Sequence, residues 1–285
     1  MESSIRTVGV AGAGTMGQGI ALASSLAGYK VSLFDVNQEA LISAIASIGS
    51  GLEQSVQKGR LSAEAAKNAL SRIHRVDHVT RLKADLIIEA VIENLEIKQK
   101  LFAELEAVNS ATSIFTSNTS SISISKIAAH LKSPGRFAGL HFFNPAHIMK
   151  LVEVISGQQT DARIASELKA FVKSLGKVAV EAKDSPGFIV NRVARHYYVE
   201  SLKLIEDGVA SHEKIDQLMK ATGFKMGPFE LMDLIGIDVN YAVTESVYEG
   251  FNKAHKFMPS NVQLNKIKRG ELGKKTGQGF YSYAK

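Results

Sequence analysis

A glycine-rich turn near the N-terminus constrains the fold of this chain more than any other feature of the sequence. The apolar strand Arg6–Ala11 leads directly into the run Gly12-Ala13-Gly14-Thr15-Met16-Gly17. A helix over 18–27 and a second strand, Lys30–Phe34, follow, and Asp35 ends that strand. A GxGxxG pattern is weak by itself. In strand–turn–helix–strand order, with an acidic residue after the second strand, it strongly predicts a dinucleotide-binding unit.

The residue types in this turn suit a pyrophosphate. Gly12 allows the tight turn, Gly14 lets the backbone approach the pyrophosphate, and Gly17 lets the helix pack closely on the strand. The N-terminus of the helix faces the anion. Asp35 would accept a hydrogen bond from a ribose 2′-hydroxyl and repel a 2′-phosphate, and the next two residues offer no arginine to such a phosphate. The sequence therefore favours NAD over NADP, with FAD or a turn without a ligand as the alternatives.

Length and composition indicate two globular domains. The chain has 285 residues, more than a typical single core accommodates. Its 45% hydrophobic and 22% charged residues are ordinary for a globular protein. No apolar run approaches the ~18–20 residues that cross a bilayer, and the stretch 1–7 leads straight into a strand. We therefore expect a cytoplasmic protein without a targeting peptide or a membrane partner.

The reactive residue types exclude several classes of function. The chain contains no cysteine, which excludes disulfides, thiolate catalysis and cysteine-ligated metals. Its eight histidines form no metal-ligand pattern, so we expect no metal site. The net charge of +6 is moderate, and no basic stripe with interleaved aromatic residues occurs. Nucleic acid is therefore not an expected partner.

Residues 37–72 predict two helices where a plain dinucleotide fold would have one. Apolar residues recur at helical spacing, a break follows at 58–60, and Ser62 is placed to begin a second helix as its N-cap. Ser55 and Lys58 lie near the tip of this inserted hairpin. They either contact phosphates of a substrate or belong to a solvated surface, and the sequence leaves both interpretations open.

A further buried strand and helix follow the hairpin. The stretch Asp85–Val91 is nearly continuously apolar, as in a strand buried on both faces. Glu93 and Asn94 are then placed to cap a helix over 95–108, whose exposed side carries Lys98.

Polar residues end the next predicted strand. Residues 113–122 form a strand that finishes in hydroxyl and amide side chains. Ligands of an open parallel sheet lie at the carboxyl ends of its strands. Asn118 and Ser120 are therefore predicted to contact a ligand. The alternative is that they form ordinary Asx and Ser turns.

One histidine and one glutamate form the predicted catalytic pair. His141 ends the apolar run Phe137–His141, and Glu153 lies within the apolar, β-branched stretch 149–155. A buried carboxylate is unfavourable without a partner, and His141 is the candidate if the loop containing Asn144 brings the two strand ends together. A carboxylate that orients an imidazole and stabilises its protonated form makes that imidazole a general base.

The second domain is predicted to be entirely helical. The run Asp184–Gly187 breaks the chain, and no alternating strand pattern follows. The first helix is apolar nearly all round, which indicates burial by its own domain and by another subunit. Asn191 lies in its second turn, where its amide is able to cap, to pack or to reach a ligand. Helices are expected over 188–207, 211–221, 228–235, 237–251 and 259–270.

Together these patterns predict an α/β fold with two domains. Residues 1–185 would form a Rossmann-type doubly wound sheet with the inserted helical hairpin, completed by a helix over 161–175 and a strand over 177–181. Residues 186–285 would form an all-α domain. Its glycine-rich tail carries Lys275, which is either solvated or close to the cofactor phosphates.

Seven short motifs, in order, resemble one enzyme family. They are GAGTMG, SNTSSIS, HFFNP, KLVEV, KDSPGFIVNR, MGPFEL and LGKKTGQGFY, and they extend from Gly12 to Tyr281. In these motifs the chain is similar to the short-chain L-3-hydroxyacyl-CoA dehydrogenases of the 3-hydroxybutyryl-CoA dehydrogenase type. The resemblance implies NAD as cofactor, an acyl-CoA as substrate, and a homodimer formed through the helical domain.

The resemblance also implies roles for individual residues. His141 would be the base and Glu153 would orient it, while Ser120 and Asn191 would bind the hydroxyl or thioester region of the substrate. Ser55 and Lys58 fall near the CoA contacts of the family. Besides the glycine turn and Asp35, the positions that match NAD contacts in relatives are Glu93, Lys98, Ser120, Asn144 and Lys275.

The chain departs from the family pattern at one place. Relatives usually follow HFFNP with Val-Pro, whereas this chain has Ala146 and His147, which alters the acyl pocket and can add a polar group to it. The segments FIVNRVARHYYVE and GFKMGPFELMDLIG resemble bacterial members that act in phenylacetate breakdown on 3-hydroxyadipyl-CoA. The resemblance therefore favours 3-hydroxybutyryl-CoA or 3-hydroxyadipyl-CoA as the substrate.

The implied reaction is the NAD-dependent oxidation of a 3-hydroxyacyl-CoA to the 3-oxoacyl-CoA, or its reverse, with the His141–Glu153 pair as acid and base. Two alternatives stay open. One is a dehydrogenase of a free hydroxy acid or sugar acid, such as gulonate dehydrogenase, whose relatives lack the HFFNP form. The other is an NAD-binding structural protein such as lambda-crystallin. The retained pair argues against it, because a structural role gives no reason to keep a costly buried ion pair.

Overall fold

The computed structural model of the chain describes residues 4–283, which divide into two compact units. The first unit is Met1–Asp184 and the second is Ser185–Lys285. The N-terminal stretch that led us to expect no targeting peptide begins outside the described residues. None of the helices within residues 4–283 is long and apolar enough to cross a membrane.

A single sheet organises the first unit. Its eight strands are β1 Thr7–Ala11, β2 Lys30–Phe34, β3 Ile73–Val76, β4 Leu86–Glu89, β5 Ile114–Ser117, β6 Phe137–Phe142, β7 Leu151–Ser156 and β8 Val178–Lys183. They lie in the order β3-β2-β1-β4-β5-β6-β7-β8. The strands from β1 to β6 are parallel, β7 runs antiparallel to β6, and β8 is parallel to β7. The strand order reverses between β1 and β4, and this is where ligands of such sheets bind.

The helices of the first unit begin where the sequence offers N-caps. The side chains of Asn37, Ser62 and Asn94 each accept a hydrogen bond from the first-turn amides of the following helix, which satisfies donors that the helix itself leaves unpaired. The second and third helices are the predicted hairpin. The helices are α1 Thr15–Leu26, α2 Gln38–Gln57, α3 Ala63–Ser71, α4 Leu95–Val108, α5 Ile124–Ala128 and α6 Ala162–Ser174.

Apolar side chains from the sheet and its helices form a large core. Strand positions such as Val8, Leu33 and Ile88 are fully buried, and α1, α2 and α6 contribute Ile20, Leu41 and Phe171. Strands buried on both faces read as continuous apolar runs rather than as alternating patterns. The doubly wound sheet with an inserted hairpin, predicted from the sequence, is therefore confirmed.

Several predicted boundaries were wrong. Residues 113–122 do not form one strand, because β5 ends at Ser117 and the hydroxyl-rich residues after it form a turn. The strand predicted at 149 begins at Leu151, because the Met149 amide donates to the Pro145 carbonyl within a turn. The strand predicted over 177–181 runs instead from Val178 to Lys183.

The sequence did not predict β3 at all. This strand has only four residues, and both His74 and Arg75 within it are exposed. It lies at the edge of the sheet, where it pairs with β2 alone. An edge strand buries little apolar surface. Its sequence of apolar and polar residues therefore differs little from that of a helix end.

The second unit is helical throughout its described part, apart from isolated bridges in its tail. The first helix begins at Val190 and not at 188 as predicted, because Phe188 has φ +49°, a left-handed conformation that a helix cannot include. Tyr198, Leu202, Phe229 and Met232 lie at the centre of its core. The helices are α7 Val190–Glu206, α8 His212–Ala221, α9 Pro228–Ile235, α10 Ile237–Gly250 and α11 Asn261–Lys268.

A buried aspartate holds the glycine-rich tail on this unit. Asp233 of α9 is 1% exposed and accepts hydrogen bonds from the amides of Phe280 and Tyr281 and from the Tyr283 hydroxyl. A Cβ on Gly273 or Gly279 would collide with Asp233. Glycine is therefore required at these positions so that the tail can approach α9.

Candidate active site

The glycine turn has the geometry expected of a dinucleotide site. Gly12 has φ +111° and donates its amide to the Phe34 carbonyl of β2. A Cβ on Gly17 would collide with the main-chain oxygen of Gly12, so glycine is what lets α1 start against the turn. A Cβ on Gly14, in contrast, would meet no atom of the described protein within 4 Å. Packing within the protein therefore does not require Gly14.

The first turn of α1 and Asp35 complete this part of the site. The N-cap of α1 is Gly14, and no side chain of the described residues caps the helix, so its first amides, beginning at Thr15 and Met16, remain able to bind an anion. Asp35 accepts hydrogen bonds from the amides of Ala13 and Asn37. A carboxylate has about four acceptor positions, so these two bonds leave capacity for a ribose hydroxyl.

A buried ion pair lies at the carboxyl end of β4. Glu89 is fully buried, and its carboxylate accepts from Lys98 Nζ at 2.6 Å, from the Ser117 hydroxyl at 2.6 Å and from the Val91 amide at 2.7 Å. Burial raises the pKa of Glu89 in spite of these bonds. Lys98 is only 1% exposed. Our prediction that Lys98 lies on the exposed side of α4 was therefore wrong, because Glu89 attracts it inward.

Glu93 links this ion pair to the turn after β5. Its Oε2 lies 3.2 Å from Lys98 Nζ, and its Oε1 accepts from the Thr119 hydroxyl, the Ser120 amide and the Ser121 hydroxyl. Burial opposes ionisation of Glu93, but the Lys98 charge and these hydroxyl donors outweigh it and lower its pKa. Glu93 thus holds the turn that carries Ser120, whereas Asn94 alone caps α4.

Asn118 connects two neighbouring strand ends. Its Oδ1 accepts from the Phe142 amide at 2.8 Å, which ties the end of β5 to the end of β6. We had predicted a ligand contact for this residue. Its side-chain oxygen has this main-chain partner, and the ligand contact stays a prediction.

His141 and Glu153 meet directly across β6 and β7. They are opposite residues in the antiparallel register, so their side chains lie side by side on one face of the sheet. His141 Nδ1 lies 2.8 Å from Glu153 Oε2, with His141 3% exposed and Glu153 fully buried. The partner that we predicted for the buried glutamate is therefore the one the structure provides, and the intervening loop joins the two strands as expected.

The pair determines which nitrogen of His141 can act as a base. An ionised carboxylate only accepts hydrogen bonds, so Nδ1 carries a proton and donates it to Glu153. In the neutral ring Nε2 is then an acceptor, and it lies 3.1 Å from the Ser120 hydroxyl. The arrangement is that of a general base with an orienting carboxylate.

A cavity of about 340 Å³ borders the first turn of α1. Ser55 and Asn144, both predicted site residues, line it together. Ser55 donates its hydroxyl to the Gly51 carbonyl within α2, while Lys58, just past the end of that helix, is exposed and does not line the cavity. Other residues that line the cavity are Thr15, Gln18, Ile48, Leu52, Arg60 and Leu61.

The residues that depart from the family pattern also border this cavity. Ala146 is 1% exposed, and a Cβ on Gly19 of α1 would approach its side chain to 3.0 Å, so Ala146 packs closely on that helix. His147 is exposed at the cavity wall. Partial burial and the charge of Lys177 lower the pKa of His147, which favours the neutral ring.

Two predicted site residues lie in the second unit. Asn191 is in the first turn of α7, and its carbonyl accepts from Arg195 Nε. Lys275 lies in the tail and forms an ion pair of 2.6 Å with Asp238 at the start of α10. The structure therefore groups the glycine turn, Asp35, Glu93, Lys98, Ser120, His141 and Glu153 at the carboxyl-terminal edge of one sheet, and places Asn191 and Lys275 on the other unit.

Glu89 was not among the site residues predicted from the sequence. A signal was present, because Glu89 is a carboxylate at the end of an apolar run, as Glu153 is within another. A buried carboxylate needs a partner, so a partner could have been expected for Glu89 as it was for Glu153. Lys98 follows Glu89 by nine positions, with a loop and the first turn of α4 between them, and only the packing of α4 shows that they meet.

These residues fit NAD. The space beside Gly14, the uncapped start of α1 and the carboxylate of Asp35 suit a pyrophosphate joined to a ribose with a free 2′-hydroxyl. Among residues 4–283, no group of three His, Asp or Glu side chains is placed to hold a metal ion.

Models of two domains of one family match the chain over nearly its whole length. The match to "3-hydroxyacyl-CoA dehydrogenase, NAD binding domain" covers residues 7–185. The match to "3-hydroxyacyl-CoA dehydrogenase, C-terminal domain" covers residues 187–283.

Individual relatives agree with this match. The chain is 48% identical to the 3-hydroxyadipyl-CoA dehydrogenase of Escherichia coli (strain K12) over 99% of this chain, and it spans 60% of the length of that relative. It is 41% identical to the 3-hydroxybutyryl-CoA dehydrogenase of Bradyrhizobium diazoefficiens, covering 99% of this chain and 97% of the relative. The crystal structure of (S)-3-hydroxybutyryl-CoA dehydrogenase from Ralstonia eutropha superimposes with a TM-score of 0.95 at 40% identity, covering 99% of this chain and 100% of that one.

The match to an NAD-binding domain confirms the cofactor predicted from the glycine turn and Asp35. The full-length similarity to several dehydrogenases confirms the resemblance that the sequence motifs indicated. The chain is therefore a member of the 3-hydroxyacyl-CoA dehydrogenase family, with the family's NAD-binding domain followed by its C-terminal domain.

Proposed function

We propose that this protein catalyses the NAD-dependent oxidation of a 3-hydroxyacyl-CoA to the 3-oxoacyl-CoA, and its reverse. The observation that carries the proposal is the buried His141–Glu153 pair, whose second ring nitrogen, Nε2, lies at the same edge of the sheet as the glycine turn. An NAD-binding protein without redox chemistry would have no use for an oriented base at that edge.

In the proposed reaction His141 moves the proton. Its Nε2 accepts the proton of the substrate 3-hydroxyl, and Glu153 stabilises the imidazolium that forms. The Ser120 hydroxyl, 3.1 Å from Nε2, would hold the substrate oxygen in line with the ring. NAD, when bound, supplies the hydride acceptor. In the reverse direction the imidazolium returns the proton to the forming alkoxide.

The remaining site residues would hold the two ligands. For NAD these are the glycine turn from Gly12 to Gly17, Asp35, Glu93, Lys98, Ser120, Asn144 and Lys275. For the acyl-CoA, Asn191 would bind the thioester region, and Ser55 and Lys58 would contact the CoA moiety. The cavity that Ser55 and Asn144 line together supports this assignment on the first unit.

The proposed substrates are 3-hydroxybutyryl-CoA and 3-hydroxyadipyl-CoA. Support comes from the names of the Escherichia coli and Bradyrhizobium relatives, which act on one or the other. Such esters arise in fatty acid metabolism, and we include β-oxidation among the roles proposed for the protein.

Replacing the base tests the reaction. His141→Ala is expected to lower kcat by about 10²–10⁴-fold, because general acid–base catalysis contributes that much, while the Kd for NAD stays within about threefold. Glu153→Gln should also lower kcat. NADH formation from 3-hydroxybutyryl-CoA measures the rate, and protein fluorescence measures NAD binding.

The control is His74→Ala. His74 is exposed on the edge strand β3, away from β6 and β7, and its replacement should leave kcat unchanged. Parental kcat in His141→Ala would refute the assignment. Equal rates with the free 3-hydroxy acid and with its CoA ester would favour a free hydroxy acid as the substrate.

We also propose a homodimer formed through the second unit and a cytoplasmic location. Exposed apolar side chains of that unit, such as Val193 and Phe224, support an interface there. NAD and CoA esters are intracellular molecules, which supports the location. Fractionation of cells that express the protein would test the cytoplasmic location.

A further inference from the structure

Arg195 is a buried cation without a carboxylate partner in the described part of the chain. It lies on α7, is 3% exposed, and donates from Nε to the Asn191 carbonyl and from Nη1 to the Asn240 carbonyl and the Thr244 hydroxyl. All three acceptors are neutral, and Arg195 forms no ion pair with a carboxylate of residues 4–283. Its other close contact is the ring of Tyr198, at 4.8 Å from the ring centroid.

A guanidinium in this environment is electrostatically unfavourable. Burial lowers the pKa of Arg195 to about 10, so the group still carries its charge at neutral pH. Carbonyl and hydroxyl dipoles compensate a buried charge only in part. None of its hydrogen bonds within the described residues uses Nη2, which therefore keeps its N–H donors.

A second donor without an acceptor lies beside Arg195. Asn240 of α10 is 1% exposed and its carbonyl accepts from Arg195 Nη1. The side-chain Oδ1 of Asn240 accepts from Gln263 Nε2 at 3.0 Å. Its Nδ2, in contrast, is buried and has no hydrogen-bond partner among residues 4–283. Two facing helices thus bring together a charged donor and a neutral donor, and neither is fully paired.

An anionic acceptor would compensate the Arg195 charge and pair with both donors. Buried polar groups in native proteins are normally hydrogen-bonded, and an orphaned donor calls for an explanation. Arginine binds carboxylates with two parallel hydrogen bonds, a geometry that its planar fork favours. A carboxylate would therefore satisfy both Nη2 of Arg195 and Nδ2 of Asn240.

We propose that Arg195 and Asn240 form a site for the distal carboxylate of a dicarboxylic 3-hydroxyacyl-CoA. The proposal rests on the proposed function, in which Asn191 contacts the thioester region of the substrate. Arg195 follows Asn191 by four residues, so it lies on the same face of α7, about 6 Å further along the helix. In a six-carbon acyl chain, five carbon–carbon bonds separate the thioester carbon from the terminal carboxyl carbon, and the extended chain covers a comparable span.

Such a site selects for the carboxylate. A site built to hydrogen-bond a polar group discriminates strongly against an analogue that lacks it, because its buried donors are then left unpaired. An alkyl end in place of the carboxylate would leave Arg195 and Asn240 in that state. The site therefore determines which class of acyl chain the enzyme prefers.

Three esters of the same CoA test the proposal on the full-length protein. They are 3-hydroxyadipyl-CoA, its distal methyl ester, and 3-hydroxyhexanoyl-CoA, which has equal length without the carboxylate. The wild-type kcat/KM for the first should exceed that for each of the others at least about tenfold. In Arg195→Met and in Asn240→Leu this ratio should fall at least about tenfold. The matched control is Arg192→Met, an exposed arginine on the same helix that stacks on Phe251, and it should leave the ratio unchanged.

The outcomes separate this proposal from the proposed function. Equal wild-type rates for the three esters would overturn the carboxylate site while leaving the dehydrogenase in place, whether or not the variants fold. The same would follow if Arg195→Met lowered the rates for the adipyl and hexanoyl esters equally, since Arg195 would then only join α7 to α10. Absence of NADH formation from every ester would instead overturn the proposed function itself.

Discussion

Two buried carboxylates of the first unit show how the protein compensates unfavourable buried charge with a neighbouring basic side chain. Glu89 and Glu153 are both fully buried, and each carboxylate forms a short contact with a basic side chain, Lys98 or His141. Breaking such a pair by removing one partner is far more destabilising than the net contribution of the pair would suggest. The partner that remains is then buried without compensation.

Lys98→Met should therefore destabilise the protein by about 3–5 kcal/mol, because it leaves Glu89 buried and unpaired. Urea unfolding at pH 7 measures the change. The double variant Glu89→Gln/Lys98→Met should recover a large part of the loss, since no buried charge is left over. Lys169→Met, which breaks the exposed pair with Glu181, serves as the control and should cost less than about 1 kcal/mol. A single variant as stable as the control would contradict the buried-charge argument.

At the level of secondary-structure elements, the turn between β1 and α1 contains one glycine that packing requires and another that packing does not require. Gly17 is required by its neighbours, because a Cβ there would meet the main chain of Gly12. Gly14 has ordinary extended backbone angles, φ −70° and ψ −175°, and has room for a Cβ. Two glycines of one motif therefore differ in what they contribute.

Gly14→Ala should leave stability within about 0.5 kcal/mol of wild type, as for a substitution that meets no neighbour, but weaken NAD binding at least about tenfold. Gly17→Ala should lower both stability and NAD affinity, because the helix must move away from the turn. Thermal unfolding and titration with NAD measure the two effects. Unchanged NAD affinity in Gly14→Ala would show that the backbone at this position does not approach the cofactor.

The segment after α11 gives a prediction for pH dependence. Glu271 accepts from Arg269 Nε at 2.8 Å and from Lys266 Nζ at 3.0 Å. The hydrogen bond from Arg269 and that from Lys266 lower the pKa of Glu271 to about 2, from an ordinary value of 4.5. A depressed pKa means that the folded state binds the proton less readily than the unfolded chain does. The stabilising contribution is therefore complete above pH 4.5 and is lost as the pH falls toward 2.

Glu271→Gln should accordingly be less stable than wild type at neutral pH, and the difference should shrink as the pH falls below about 4.5. Urea midpoints at several pH values between about 7 and 3 measure this. Glu104→Gln, an exposed residue of α4 that forms no ion pair within the described chain, should show no such trend. A stability difference between Glu271→Gln and wild type that did not depend on pH would contradict the assignment.

At the scale of the whole molecule, the proposed dimer is the property to test. The first helix of the second unit exposes Val193, with 67% of its surface accessible, but the helix is amphipathic and not apolar nearly all round as predicted. A large exposed apolar residue within a group of others commonly marks an interface. We expect that a second copy of the chain covers this surface.

Val193→Glu should convert the protein to a monomer, because a charge buried at an apolar interface has no partner there. Sedimentation velocity at micromolar concentrations measures the mass of wild type and variant. Val36→Glu places the same charge at an exposed valine of the first unit and should leave the mass unchanged. A monomeric wild-type protein would refute the dimer.

Local patterns were enough for several conclusions. The glycine turn with Asp35 predicted the βαβ unit and NAD, since each of these residues acts through the backbone or through neighbours close in sequence. Ser62 predicted the start of α3 for the same reason, because a cap acts within one helical turn. The strands β4 and β6 were predicted from contiguous apolar runs, which do not depend on residues distant in sequence. The motifs that resembled the dehydrogenase family were likewise contiguous stretches of chain.

The tertiary structure alone decided which distant groups meet. It moved Lys98 inward to Glu89, paired the Asn118 side chain with the Phe142 amide, and added β3 at the edge of the sheet. It also showed that Arg195 is buried beside an unpaired amide of Asn240, which no spacing in the sequence indicates. The sequence determines backbone patterns because they depend on neighbouring residues. The pairing of buried charges depends on how helices and strands pack, and a linear pattern contains no distances between them.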